Sequence, residues 1–154
     1  MNRVFLILGS NIDPDQNIAR AIHLLKVEPG MQVLRCSSIW KTRPVGTSSI
    51  DFYNMAVEIS TEFDQFHLKE NVFCRLESEL GRVRVEDKYA PRTIDLDIVI
   101  FNDQVLESDL FRFDYLVLPF AELNPELVDP KSGLTLLKLA KTIGPFSTAR
   151  KLPA

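Results

Sequence analysis

Residues 91–101 read PRTIDLDIVIF, an apolar, mostly β-favouring run that is interrupted by Asp95 and Asp97. Burying an isolated carboxylate is costly unless a partner neutralises it. Because side chains alternate along a strand, this run predicts one apolar face and one acidic face. The apolar face consists of Ile94, Leu96, Ile98 and Ile100, and the acidic face of Thr93, Asp95, Asp97 and Val99. We therefore expect helices to cover the apolar face and both carboxylates to point away from it.

The two aspartates are candidate metal ligands. Two strand residues span about 6.6–7 Å, so both carboxylates can converge on one or two hard cations. Mg²⁺ prefers one or two carboxylates completed by substrate phosphates, and paired catalytic ions lie about 3.5–4 Å apart. The alternative is an edge strand with a solvated Asp pair. Aspartate disfavours strands, so we favour a Mg²⁺ site at Asp95 and Asp97.

The segment before this strand is rich in cations. Arg82, Arg84, Lys88 and Arg92 outnumber the acidic residues there, although the chain has a net charge of −3. Arginine forks grip phosphate oxygens while Mg²⁺ bridges them, so this pattern next to two aspartates indicates a polyphosphate site. A solvated basic loop is the alternative.

The whole chain has the composition of a soluble domain. Its 154 residues, 45% of them hydrophobic, predict a single domain over 1–154. A pI of about 5.4 argues against general nucleic-acid binding. The apolar run Val4–Leu8 is too short for an export signal or a membrane span. Cys36 and Cys74 form no metal or disulfide motif. We expect a cytoplasmic monomer with no nucleic-acid or membrane partner.

The order of predicted elements indicates the fold class. Strands are expected at 4–8, 33–42, 52–61 and 94–101. Helices are expected from Pro14, with Asp13 as N-cap in a capping box with Gln16, and from Asp64 to Leu80. An Asn102-Asp103 turn, a strand at 113–120 and a helix at 132–144 follow. The pattern is an α+β, ferredoxin-like βαββαβ core, an antiparallel sheet with helices on one face, plus C-terminal strand and helix additions.

Six motifs occur together: LGSN (8–11), TRPVG (42–46), FYNMAV (52–57), RLESELGRVR (75–84), PRTIDLDIVIF (91–101) and LPFAELNPEL (118–127). In this order they resemble the 6-hydroxymethyl-7,8-dihydropterin pyrophosphokinase family of folate biosynthesis. The resemblance implies a Mg²⁺-dependent enzyme with two ions, which transfers pyrophosphate from ATP to the pterin hydroxymethyl group and releases AMP.

The resemblance also implies roles for individual residues. The catalytic residues would be Arg82, Arg92, Asp95 and Asp97, of which Asp95 and Asp97 would bind the metal. The pterin contacts would be Thr42, Pro44, Val45, Phe52, Asn54 and Tyr115. The nucleotide contacts would be Glu77, Arg84, Tyr89, Arg92, Ile98 and Arg112. Strand alternation supports one pair independently, because Phe52 and Asn54 share a face and can address one flat heterocycle.

The chain departs from the family pattern after Phe101. The segment up to Pro119 is several residues shorter than usual and has no His-Pro element, and Arg112 is one residue out of place. Cys74 stands where the family has a glutamine-type contact. These differences leave open a non-catalytic or altered-specificity pterin- or nucleotide-binding relative. A ferredoxin-like interaction module with a solvated Asp pair is a third hypothesis.

Overall fold

The computed structural model describes residues 1–44, 50–87 and 90–153, and one antiparallel sheet organises them. Its strands are β1 (Asn2–Ser10), β2 (Met31–Cys36), β3 (Trp40–Thr42), β4 (Phe52–Thr61), β5 (Asp95–Phe101), β6 (Gln104–Val105) and β7 (Arg150–Lys151). They lie in the order β6-β5-β1-β4-β3-β7, with β2 also paired to β4. Every described pairing is antiparallel. The central order β5-β1-β4-β2/β3 is that of the predicted βαββαβ core.

Helices cover both faces of this sheet. They are α1 (Pro14–Val27), α2 (Gln65–His67), a π-helical segment (Leu68–Phe73), α3 (Cys74–Glu79), α4 (Asp114–Leu123) and α5 (Leu136–Ile143). The first core joins α1 and the 65–79 helix to one face through residues such as Leu6, Val57 and Phe73. The second core joins α4 and α5 to the other face through Ile7, Ala56 and Phe120. The sequence predicted helices on one face only, and the C-terminal helices supply the second layer.

The strand predicted at 33–42 is divided into β2 and β3. Its register with β4 slips once between Val33 and Arg35, and by one further residue before Trp40. Between the two strands Ser37 keeps the ladder closed, since its N–H donates to Ala56 O at 2.8 Å and its Oγ accepts from Ala56 N–H at 2.9 Å. A hydroxyl thus replaces a backbone partner at the break.

The prediction of a strand at 113–120 is wrong, because residues 114–120 lie in α4. Seven of the ten α4 residues are buried, so the helix has no polar face to reveal a helical period. Pro119 within the run also discourages a helix prediction, although the helix accommodates it.

The predicted helix starts and stops are only partly correct. Asp13 adopts a left-handed conformation, φ 42°, and its side chain makes no capping bond, so the predicted capping box does not form. Instead Asn17 Nδ2 donates to Ile12 O at 2.6 Å. The second helix begins as predicted, with Asp64 Oδ1 accepting from His67 N–H at 2.7 Å, and Gly81 follows its end with φ 82°.

A bulge alters the end of β5. The register between β1 and β5 shifts between Phe5 and Leu6, and Val99 and Ile100 both join the second core. The predicted alternation therefore holds from Asp95 to Val99 and fails at Ile100. The turn at Asn102 follows, with φ 53°.

Among the described helices, none has both the length and the apolar character needed to cross a membrane.

Candidate active site

The end of β1 holds the segment that leads into β5. Ser10 Oγ donates to Thr93 O at 2.5 Å. Asn11 binds both backbone groups of Arg92. The Asn11 N–H donates to Arg92 O at 3.2 Å, and Asn11 Oδ1 accepts from the Arg92 N–H at 2.7 Å. These bonds join residues that are about eighty positions apart. They place Arg92 beside the acidic face of β5, a function of the LGSN motif that sequence reasoning did not assign.

Asp95 is the centre of an ion-pair cluster. Its Oδ1 accepts from Arg82 Nη1 at 2.5 Å, and its Oδ2 accepts from Arg92 Nη1 at 2.9 Å. The same Nη1 of Arg82 also donates to Glu77 Oε2, to which Arg84 Nη2 comes within 3.3 Å. The structure therefore brings together five of the predicted site residues, with Arg84 the most exposed of them at 64%.

The carboxylates of this cluster repel one another. Desolvation and the nearby charges of Asp95 and Glu77 raise the pKa of Asp97 to about 7. Asp97 is exposed overall, and the like charges of Asp95 and Glu77 oppose its ionisation. Burial likewise raises the pKa of Glu77, and the charge of Asp95 adds to this shift, whereas Arg82 and Arg84 oppose it. The three carboxylates are matched in number by the guanidiniums of Arg82, Arg84 and Arg92. The repulsion is therefore local, and Asp97 shows it in its raised pKa.

This donor set fits a hard divalent cation. Asp95 and Asp97 offer carboxylate oxygens on one accessible face, and their mutual repulsion would be relieved by a cation between them. The described residues contain no group of three or more His, Cys, Asp or Glu side chains able to cage a metal. Two carboxylates completed by non-protein oxygens is the arrangement that Mg²⁺ favours.

A polar pair and an aromatic ring lie next to this cluster on β3 and β4. Asn54 Nδ2 donates to Thr42 Oγ1 at 2.6 Å, and both residues are buried. Phe52, two residues before Asn54 on the same face, lies under the Arg92 guanidinium at 5.7 Å from its ring centroid. Gly9 faces them from β1, where a Cβ would stand 3.3 Å from Asn54 Oδ1. Sequence reasoning did not single out Gly9, because only the register shows what it faces.

Tyr115 lies in the first turn of α4, close enough to the acidic groups to respond to them. Burial and the charges of Glu107, Asp109, Asp97 and Asp95 raise its pKa to about 12. Its ring stacks with Phe113 at a centroid separation of 5.9 Å. Tyr115 is therefore a half-buried, neutral ring beside the acidic face. Pro44 follows β3 and is half-buried.

Two predicted nucleotide contacts are not brought to the cluster. Ile98 packs against the first core, on the face of β5 opposite Asp95 and Asp97, so only its backbone can face the same ligand as they do. Arg112 is 74% exposed and contacts Asp109 at 3.8 Å and the Phe113 ring at 4.9 Å, rather than the carboxylates. The predicted contacts Val45 and Tyr89 lie outside the described residues.

Comparisons with known proteins show the family to which the chain belongs. Residues 5–125 match the family model described as 7,8-dihydro-6-hydroxymethylpterin-pyrophosphokinase. The chain is 32% identical to a 2-amino-4-hydroxy-6-hydroxymethyldihydropteridine pyrophosphokinase of Synechocystis, over 88% of this chain and 73% of that protein. It is 37% identical to the protein of the same name from Bacillus subtilis, over 79% of this chain and 78% of that one.

Solved structures show the same fold. The Plasmodium falciparum HPPK-DHPS wild type with SDX-DHP matches with a TM-score of 0.68 at 13% identity, over 92% of this chain and 43% of that chain. An HPPK-DHPS in complex with substrates matches with a TM-score of 0.71 at 10% identity, over 94% and 44%. This chain spans less than half of either, so the likeness concerns one part of them. The predicted ferredoxin-like class is confirmed.

Proposed function

The chain belongs to the 7,8-dihydro-6-hydroxymethylpterin-pyrophosphokinase family, and we propose that it transfers the pyrophosphoryl group of ATP to the hydroxymethyl group of 6-hydroxymethyl-7,8-dihydropterin. The products are AMP and the pterin diphosphate, an intermediate of folate biosynthesis. The observation that carries this proposal is the cluster of Arg82, Arg92 and Asp95 directly beside the Phe52 ring and the Asn54 amide. A polyphosphate site and a flat-ring site share one face of the sheet.

The cation that family members generally use is Mg²⁺, and we assign Asp95 and Asp97 as its protein ligands, with two ions as the expected count. When bound there, Mg²⁺ neutralises phosphate charge and aligns the phosphates. Titration calorimetry with Mg²⁺ and a non-hydrolysable ATP analogue measures the count, and one ion per chain would correct it.

Arg82 and Arg92 are the phosphate-gripping residues of this proposal. Attack of a primary alcohol on the β-phosphorus needs alignment and charge neutralisation more than covalent help. Both guanidiniums present planar forks beside Asp95, which holds them at the place where the phosphates must lie. Glu77 orients Arg82 from the other side, and Arg84 extends the basic edge into solvent.

The pterin is proposed to lie between aromatic rings and to be read by amide and hydroxyl groups. Phe52 and Tyr115 supply the rings, and Asn54 and Thr42 supply donors and acceptors for the amide edge. Pro44 and Val45 border the same end. The residues proposed to contact the nucleotide are Glu77, Arg84, Arg92 and Tyr89. Ile98 would contact it through its backbone, and Arg112 through its exposed side chain.

AMP release tests the activity directly. AMP should form from ATP and Mg²⁺ only when hydroxymethyldihydropterin is present. Asp97→Ala should abolish AMP formation and leave the fold intact, because the Asp97 side chain faces outward. Asp103→Ala, in the exposed turn after β5, is the matched control. If the wild type makes no AMP at saturating Mg²⁺, the enzyme proposal is wrong and a pterin-binding relative becomes the better explanation.

We further propose a single cytoplasmic domain that acts as a monomer. The shared sheet between the two cores supports one domain. Sedimentation velocity at assay concentration checks the monomer, and a dimer mass would contradict it.

A further inference from the structure

The Glu122 carboxylate, near the end of α4, is held by groups from two other segments. Its Oε2 accepts from Trp40 Nε1 at 2.7 Å. Its Oε1 accepts from the Ser38 hydroxyl at 2.9 Å and from the Ser38 N–H at 3.2 Å. Lys151 Nζ on β7 lies 3.7 Å from the same oxygen. Three hydrogen bonds and one long ion pair thus meet on a side chain that is only 27% exposed.

This carboxylate joins the two elements that border the proposed pterin site. Helix α4 carries Tyr115 seven residues before Glu122, about 10 Å along the helix axis. Strand β3 carries Thr42 two residues after Trp40, and Thr42 Oγ1 accepts from Asn54 at 2.6 Å. The separation between Tyr115 and Thr42 therefore depends on how α4 is fixed to β3.

β3 is a short strand near the edge of the sheet. Its three residues all pair with β4 on the inner side, it is separated from β2 by residues 37–39, and among the described residues its outer side pairs with the two-residue β7. A short strand near a sheet edge can shift at little cost unless side chains hold it. The Glu122 bonds attach it to a helix that is anchored in the second core by residues such as Leu116 and Phe120.

We propose that Glu122 is a positioning residue that sets the spacing between the two walls of the pterin pocket, an inference that rests on the proposed function. Glu122 touches neither substrate. It acts through Ser38 and Trp40 on β3 and hence on Thr42. The alternative is that these hydrogen bonds only stabilise the fold and have no effect on pterin binding.

Substitution at Glu122 separates these explanations. In Glu122→Ala all the bonds are lost, and we expect the KM for pterin to rise about tenfold, the effect of one charged hydrogen bond, while the KM for ATP changes less than twofold. Glu122→Gln keeps one acceptor oxygen and should recover part of the loss. Glu126→Gln removes the same charge four residues later and is the matched control, with no change expected. Lys151→Met removes only the longest contact and should have a less than twofold effect.

Trp40 provides a second, direct readout, because it is the only tryptophan of the chain. Its emission should shift in Glu122→Ala, since the indole N–H loses its partner. Trp40→Phe keeps the ring and removes the N–H, so it should reproduce part of the rise in pterin KM. The double variant with Glu122→Ala should change the free energy of pterin binding by less than the sum of the two single changes, as expected for residues in contact.

The outcomes distinguish this inference from the proposed function. Wild-type AMP formation decides the function by itself, and calorimetric titration with pterin tests Glu122 without turnover. The inference is overturned if Glu122→Ala, folded by circular dichroism, keeps the wild-type pterin affinity. It is equally overturned if both KM values rise together, as general destabilisation would cause, or if the wild type binds no pterin.

Discussion

Gly9→Ala should weaken pterin binding without unfolding the protein. Gly9 on β1 is the register partner of Asn54 on β4, and an added Cβ would stand 3.3 Å from Asn54 Oδ1 and 3.8 Å from Phe52 Cδ1. Favourable contacts begin at about 3.5 Å, so the Asn54 side chain must move. It has no room to move sideways, because on the β3 side its Nδ2 already lies 2.6 Å from Thr42 Oγ1, the short limit for such a bond.

The size of the effect follows from this confinement. Asn54 must rotate off its preferred rotamer at about 0.5–1.5 kcal/mol, or the strands must separate, and overpacking of this kind costs about 1–3 kcal/mol. Replacing glycine by alanine within a strand returns about 0.5–1 kcal/mol of chain entropy. We therefore expect a loss of unfolding free energy of at most about 2.5 kcal/mol. The same misplacement of the Asn54 amide should raise the pterin KM about 5- to 100-fold.

The assay is steady-state AMP formation with each substrate varied in turn, together with urea denaturation. The ATP KM should stay within twofold, because the added Cβ comes within 4 Å of Asn54 and Phe52 but not of Asp95 or its arginine partners. Gly144→Ala is the matched control, since a Cβ there meets nothing within 4 Å and φ is negative. An unchanged pterin KM in a folded Gly9→Ala protein would refute the argument that Asn54 is confined.

Three other changes test separate features of the fold and site. Glu58 is buried between Arg3 and Arg35, each at 2.5 Å; burial alone would raise its pKa, but these bonds and charges hold the pKa below its usual value. Glu58→Gln should therefore lose about 1.5 kcal/mol of unfolding free energy at pH 7, measured by urea titration. The difference from wild type should shrink as the pH falls below about 4.3, the ordinary pKa of glutamate, and through the lowered pKa of the folded state. A difference that does not depend on pH would contradict the assigned ionic role. Arg82→Lys removes the planar fork that can bind phosphate oxygens bidentately, so kcat should fall about 10²-fold, and a wild-type kcat would remove Arg82 from the catalytic set. Gly81→Ala forces a side chain onto φ 82° and should cost about 1 kcal/mol in thermal unfolding, whereas an unchanged midpoint would show that the helix end relaxes.

The elements that sequence reasoning predicted correctly are those with a clear period or a strong stop signal. FYNMAVEIST alternates cleanly, and β4 has the predicted faces, with Val57 in the first core and Ala56 in the second. The acidic face of β5 followed from two aspartates in an apolar strand, and its arginine partners followed from local charge. These features depend on residues that are close in sequence, so the sequence alone contains them.

The errors arose where tertiary contacts decide the structure. α4 is buried on nearly every side, which removes the helical period, and the bulge that moves Ile100 into the second core is set by pairing with β1. Asp13 does not cap α1, because the chain turns through a left-handed conformation there. Gly9, Asn11 and Glu122 were missed for the same reason, since each acts on residues at least 40 positions away.

The ion pairs of Asp95 have a consequence for the order of events at the site. Its Oδ1 accepts from Arg82 and its Oδ2 accepts from Arg92. Each carboxylate oxygen has a second lone pair, so Asp95 can coordinate a cation while it keeps both arginines. The two guanidinium charges nevertheless oppose a free cation at Asp95. Phosphate oxygens paired with the same guanidiniums would offset that charge, so we expect the cation to bind together with the nucleotide phosphates rather than ahead of them. The acidic strand and its basic neighbours are thus two parts of one site, and neither is complete without the polyphosphate that links them.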